Sequence, residues 1–195
     1  SLAAGGGTAD ALQIGTGAAI TVPDTMDFTT KVTGFEKITA VATGGIISIT
    51  PHATLVTDTS IATIDLSGDT NATGSNVVNL TSMTTTSLFT VIGSSGVDTI
   101  DAEELQITSI KPGPGVDVID FTGGTTADIL DVTGAHGTGQ AAATGNYDTV
   151  ANFVAANDLI KLDGSATTVA TASGDAAVIE QITAAADNTN GQAYN

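Results

Sequence analysis

Between Asp24 and about Asp163 apolar residues come in short runs of about four to seven, punctuated by Gly, Asp, Asn or Ser. The runs predict strands at Ala18–Val22, Lys37–Ala42, Ile46–Thr50, Ser60–Leu66, Val77–Leu80, Ser87–Val91, Thr99–Asp101, Leu105–Ile110, Val118–Phe121 and Ile129–Val132. In Ile61-Ala62-Thr63-Ile64-Asp65-Leu66 the apolar side chains at 64 and 66 flank an outward Asp, the two-residue period of a strand with one buried face. No sustained helical period occurs between residues 20 and 165. The last segment differs: it is rich in Ala, and Val178, Ile179 and Ile182 recur at helical spacing. With Ser173 or Asp175 as cap, the spacing predicts a helix over 175–186, ended by Asp187-Asn188-Thr189-Asn190-Gly191. The chain therefore divides into a flexible N-terminal segment (1–17), a β domain (18–165) and an Ala-rich tail with a helix (166–195). The expected fold class is all-β: a β-solenoid or β-roll of short Thr/Val/Ile strands with a short C-terminal helix. A β-sandwich is the alternative, because short Thr/Val runs suit both.

Composition favours the stacked arrangement. Thr occurs 35 times and Gly 23 times, aromatics are 4 % and Trp is absent, while 41 % of residues are hydrophobic. Small β-branched side chains build thin stacked layers more readily than one wide globular centre. The charge removes several functions. There are 21 acidic and 4 basic side chains, all four basic ones Lys, giving a formal charge of -17. Such a chain cannot neutralise phosphates, so nucleic acid is excluded as a partner, as is an anionic membrane surface. No apolar run is long enough to span a bilayer. The negative field attracts cations, divalent ones most strongly. Cysteine is absent, which excludes disulfides, thiolate metal sites and a cysteine nucleophile. The chain opens Ser1-Leu2-Ala3-Ala4 with no Met and no basic region. A cleaved signal of the usual kind is therefore not in view: it was removed, or export uses a C-terminal signal, or the chain is a piece of a longer protein.

Three segments repeat a Gly-containing turn followed by x-Asp-x-apolar-Asp: Gly93-Ser94-Ser95-Gly96-Val97-Asp98-Thr99-Ile100-Asp101, Pro112-Gly113-Pro114-Gly115-Val116-Asp117-Val118-Ile119-Asp120, and Gly123-Gly124-Thr125-Thr126-Ala127-Asp128-Ile129-Leu130-Asp131. They resemble degenerate copies of the RTX nonapeptide Gly-Gly-x-Gly-x-Asp-x-U-x, a parallel β-helix repeat in which U is a large apolar residue. Ser94, Pro112 and Thr126 depart from the glycine pattern. The resemblance implies Ca2+ as the ligand, shared between turns of successive coils. It implies Asp98, Asp117 and Asp128 as ligands, with their paired carboxylates Asp101, Asp120 and Asp131 and with backbone carbonyls near Gly96, Gly115 and Gly124. The reading without calcium is that Asp and Gly are ordinary turn formers and that Ile100, Ile119 and Leu130 serve packing alone.

A second resemblance covers more of the chain. Thr33-Gly34-Phe35-Glu36-Lys37-Ile38-Thr39, Ile64-Asp65-Leu66-Ser67-Gly68 and Val78-Asn79-Leu80-Thr81 are similar to strand repeats of bacterial surface-layer and large adhesin proteins. The segment from Asn146 to Asp163, with Asp148, Phe153, Asp158, Ile160 and Leu162 in phrase, resembles the closing segment of RTX β-rolls. These resemblances imply a bacterial, extracellular protein exported by a type I system and folded by calcium outside the cell. The expected function is structural: a self-associating surface-layer, filament or matrix subunit, with itself as partner and a cell-surface polysaccharide as a second candidate. The alternatives are an adhesin-type binding module and the calcium-folded secretion tail of a larger enzyme. An enzyme is not expected. His52 and His136 are isolated, Ser94-Ser95 has no nearby base, and two Tyr with no Trp make a poor sugar platform.

Overall fold

A computed structural model of the chain describes residues 2–15, 19–22, 32–41, 44–53, 55, 60–71, 74–83, 88–102, 108–121, 126–132, 148–154, 157–162, 165–167 and 177–178. They form an all-β structure of seventeen short strands. In chain order these are β1 Leu2–Ala3, β2 Ala11–Ile14, β3 Ile20–Val22, β4 Val32–Thr33, β5 Lys37–Ala40, β6 Ile47–Ile49, β7 Thr63–Asp65, β8 Ser75–Asn79 and β9 Phe89–Ile92. They continue with β10 Val97–Asp101, β11 Thr108–Lys111, β12 Val118–Asp120, β13 Ile129–Asp131, β14 Thr149–Ala151, β15 Leu159–Leu162, β16 Ser165–Thr167 and β17 Ala177–Val178.

From β5 to β15 the chain alternates between two sheets. One has the order β17-β14-β12-β10-β8-β6-β3, the other β16-β15-β13-β11-β9-β7-β5-β2, and β1 pairs with β4 separately. Neighbouring strands run parallel, with partners 19 to 31 residues apart in sequence. Each pass of the chain thus adds one layer, with one strand in each sheet. This register is not that of an antiparallel sandwich. Only the final strands reverse: β16 and β17 pair antiparallel with β15 and β14.

Alternation explains the core. In the seven-stranded sheet Val22, Ile49, Val78, Ile100, Ile119 and Val150 fall in register and all point inward. In the other sheet Ile38, Ile64, Val91, Ile110, Leu130 and Ile160 do the same. Both rows belong to one apolar cluster, so the core lies between the sheets. Full burial of each such side chain contributes roughly 1.5–3 kcal/mol. Phe121 closes one region of the core edge-to-face against Phe153, ring centroids 6.1 Å apart.

The predicted strands from Ala18–Val22 to Ile129–Val132 each overlap a strand, with ends displaced by a few residues. Two expectations differ. β1 and β2 lie in the segment expected to be flexible, and β2 pairs with β5 over four residues. Its core contributions, Leu12 and Ile14 in a short Ala-Leu-Gln-Ile run behind three glycines, span too few residues to register as a periodic signal. The expected helix over 175–186 is not what Ala177–Val178 forms: these two residues pair with β14, because the last layer offers them an open edge. The rest of 175–186 lies outside the described residues.

Candidate functional site: buried carboxylate stacks

The repeat x-Asp-x-apolar places the Asp two residues before an inward core residue, so on an extended strand the Asp faces inward as well. That is what the structure has: Asp98 and Asp117 are 0 % exposed and Asp128 and Asp158 are 1 %. In the seven-stranded sheet the position is occupied in successive layers by Ile47, Asn76, Asp98, Asp117 and Asp148; in the other sheet Asp128 and Asp158 occupy it in neighbouring layers.

A single device joins the layers. The side chain at this position accepts the backbone N–H of the equivalent residue in the layer before it. Ile47 donates to Asn76 Oδ1 at 2.9 Å, Asp98 to Asp117 Oδ1 at 2.9 Å, and Asp117 to Asp148 Oδ1 at 2.9 Å. Thr108 donates to Asp128 Oδ1 at 2.7 Å and Asp128 to Asp158 Oδ1 at 3.1 Å. Each carboxylate or amide supplies an acceptor to a buried N–H at the start of a strand, where leaving it unpaired would cost about 1–3 kcal/mol. The second carboxylate oxygen folds back to its own turn: Ser94 N–H donates to Asp98 Oδ2 and Val154 N–H to Asp158 Oδ2, both at 2.7 Å.

Asp117 breaks this pattern. Its turn is Pro112-Gly113-Pro114-Gly115, in which two of the four residues carry no N–H, and its Oδ2 is buried with no hydrogen-bond partner. Burial, then the neighbouring Asp148 and Asp98 charges, push its carboxyl up to about 8, against the relief given by the Asp98 N–H. Burial likewise raises Asp128 to about 6, with the Asp158 charge adding and the Thr108 N–H opposing. Asp98 is raised by burial, opposed by hydrogen bonds from Ser94 and Asn76. Asp158 is raised by burial, opposed by the Val154 and Asp128 N–H groups.

The turns stack as closely as the strands. A Cβ on Gly93 would stand 1.8 Å from the Pro112 carbonyl oxygen, and one on Gly113 (φ +92°) 2.3 Å from that of Ser94. The Gly96 carbonyl presses on Gly115 in the same way. The glycines of the repeat are therefore needed for layer contact whether or not an ion is present.

The nine sequence-expected ligands do not converge on one point. Asp98 and Asp117 share a stack, and Asp128 lies in the stack of the other sheet. Asp101 and Asp120 are register neighbours one residue past the inward row, so they stand on the outer face. There Asp101 is raised by partial burial and by Asp120, while Asp120 accepts Asn152 Nδ2 at 2.6 Å. Asp131 is on the outer face of the second sheet, paired with Lys161 at 2.9 Å. Gly96 and Gly115 are in the stacked turns, and Gly124 lies outside the described residues, as does His136. Among the described residues no group of three or more His, Asp or Glu side chains is arranged to hold a metal ion. Three oxygens at stack positions are buried without a hydrogen-bond partner: Asp117 Oδ2, Asp10 Oδ2 and Thr108 Oγ1.

Sequence reasoning missed Asn76, Asp148 and Asp158 as members of the stacks. The signal was present: Asn76-Val77-Val78, Asp148-Thr149-Val150 and Asp158-Leu159-Ile160 carry the same polar-x-apolar phrase, and Gly74 precedes Asn76 at the offset at which Gly96 precedes Asp98. The phrases Asp65-Leu66-Ser67 and Asn79-Leu80-Thr81 are strand terminators. Each Asp or Asn Oδ1 accepts both the backbone N–H and the hydroxyl two residues on, while the Leu between is fully buried. Among the described residues no helix is long and apolar enough to cross a membrane. Comparison with protein-family models, with curated proteins and with solved structures gave no match.

Proposed function

We propose that the chain is a β-solenoid module with a structural role: a calcium-stabilised, self-associating subunit of a bacterial cell-surface layer, filament or matrix. The observation that carries this reading is the one-dimensional build of the described residues. Each layer from β2 and β3 to β14 and β15 repeats the same two strands in parallel register, and at one end β2 and β3 are the last strands of their sheets. Such an object extends by adding strands at its edge, and an unpaired edge is a template for another chain. The acidic balance favours calcium as the stabilising ion, and the buried, unpartnered oxygen of Asp117 favours a cation inside the stack. When bound, calcium supplies positive charge between carboxylates that otherwise repel. Asp117, with its buried unpartnered oxygen, is the residue of this stack that would meet it.

Sedimentation and negative-stain microscopy of purified protein, with calcium and with chelator, test the reading. Sheets or filaments that grow with calcium support it. A monomer at all calcium concentrations overturns self-association and favours a secretion tail or an adhesin module.

A further inference from the structure

The outer faces of the two sheets differ in charge. Lys37, Lys111 and Lys161 all take outward positions on the eight-stranded sheet, each next in sequence to an inward Ile: Ile38, Ile110 or Ile160. Lys31 lies outside the described residues. Two acids share that face, and both are engaged within the chain. Asp65 Oδ1 accepts the Ser67 N–H and hydroxyl, and Asp131 holds Lys161 at 2.9 Å. Among the described residues that is the one ion pair, so Lys37 and Lys111 stand there without a carboxylate. The seven-stranded sheet is the reverse. Its outward positions carry Asp101 and Asp120 side by side in register and, among the described residues, no lysine. Asp120 meets the neutral Asn152 amide, and Asp101 is raised by partial burial and by the Asp120 charge. A chain of formal charge -17 thus has spare lysines on one face and acids without a cation on the other.

We propose that copies of this chain pack side by side, the eight-stranded sheet of one against the seven-stranded sheet of the next, with Lys111 set against Asp101 and Asp120 of the next copy. The inference rests on the self-association reading above and gives it a lateral contact, separate from the ends of the stack. The levels match: β10 and β11 are consecutive strands, one in each sheet, so Lys111 and Asp101 belong to the same height of the solenoid. Packed sheets stand about 10 Å apart, a gap that a Lys and an Asp side chain bridge between them. The acidic face is low enough for such an approach. Its central row is Thr21, Ser48, Val77, Thr99, Val118 and Thr149, one small or β-branched side chain per layer. Val118 in that row is 43 % exposed. On the lysine face Ile92 pairs in register with Lys111 and Ile129 with Ser109, so apolar surface is present on both sides of the contact. Packing like faces would set lysine against lysine or acid against acid. Packing unlike faces leaves every copy with one free face of each kind, so the array extends instead of closing as a pair.

The test is sedimentation velocity with light scattering on the whole chain, in millimolar calcium chloride at low ionic strength. One variant, Lys111→Glu, reverses the first face. The other, Asp101→Lys with Asp120→Asn, reverses the second and keeps an acceptor for the Asn152 amide. Each variant alone is expected to need about tenfold more protein to assemble, and added salt should weaken the native assembly in the same direction. An equal mixture of the two is expected to assemble within about threefold of the native concentration, because every contact again joins unlike charges. Lys111→Gln introduces no repelling charge into the fold; it should keep the native circular dichroism and still assemble less readily than the native chain. Variants that assemble as the native chain does overturn the lateral contact and leave self-association standing. A mixture no better than its components overturns the pairing of the two faces. If a reversal unfolds the chain, Lys111→Gln decides, and unchanged assembly overturns the role of Lys111. A native chain that stays monomeric overturns both the contact and the self-association on which it rests.

Discussion

Replacing Asp117 by Asn makes the protein less sensitive to alkali. Asp117 is wholly buried, with one oxygen on the Asp98 N–H and the other unpaired, between Asp98 and Asp148. Its carboxyl is pushed from the ordinary 3.8 up to about 8. The folded state therefore holds a proton that the unfolded chain releases. The stability this gives is fully present below pH 3.8 and is lost progressively as the pH rises through 8. A displacement of that size corresponds to roughly 5 to 6 kcal/mol between the two limits, an upper figure because the layers relax and admit water once the group ionises. An amide cannot ionise, and its Oδ1 replaces the carboxyl oxygen at the Asp98 N–H. Urea unfolding of chelated protein at pH 5 and pH 9 measures the effect. The native protein should lose several kcal/mol over this interval, and the variant should lose markedly less. Equal losses in the two proteins would refute the claim that Asp117 is a buried, strained acid.

Four other changes separate the parts of the structure. Ile119→Ala removes a fully buried side chain from the core row and should cost about 2–5 kcal/mol in chemical denaturation, whereas Ile119→Asp should abolish the cooperative transition. Gly93→Ala drives a Cβ into the Pro112 carbonyl and should lower stability by at least about 2 kcal/mol with or without calcium, seen as a drop in Tm in both conditions. Asp158→Ala strands the N–H groups of Val154 and Asp128 and should cost roughly 2–5 kcal/mol, while Asp158→Asn, which keeps one acceptor oxygen, should cost less in the same melt. Lys161→Ala breaks only a half-exposed pair with Asp131 and should change stability by less than about 1 kcal/mol.

Much of the fold was legible because a strand with one buried face writes its period into the sequence. Ile64 and Leu66 around Asp65, or Ile100 and Ala102 around Asp101, place themselves inward by alternation alone. The 19-residue step between Asp98 and Asp117 is the length of one full layer, as the pairing of β10 with β12 shows. What sequence could not reveal was the partner in the next layer. Asp98 and Asp101 look alike in the repeat, yet three residues apart on a strand they face opposite sides of the sheet. One becomes a buried acceptor for an N–H, and the other remains at the outer surface. The sequence-expected set of six aspartates therefore mixed two environments. Asn76 was passed over because it is an amide where the repeat has a carboxylate, although Gly74 stands before it as Gly96 does before Asp98 and its side chain occupies the same stack. β2 and the Ala177–Val178 strand are tertiary in origin: each is extended because a neighbouring edge is there to pair with, which local propensity does not encode.

The most direct test of the whole account is a calcium titration of chelator-treated protein, following circular dichroism and light scattering together. The account predicts a gain of β-structure, followed by a rise in scattering as completed layers associate. A protein in which neither signal responds to calcium would contradict it, leaving the aspartates as acceptors for buried N–H groups and nothing more.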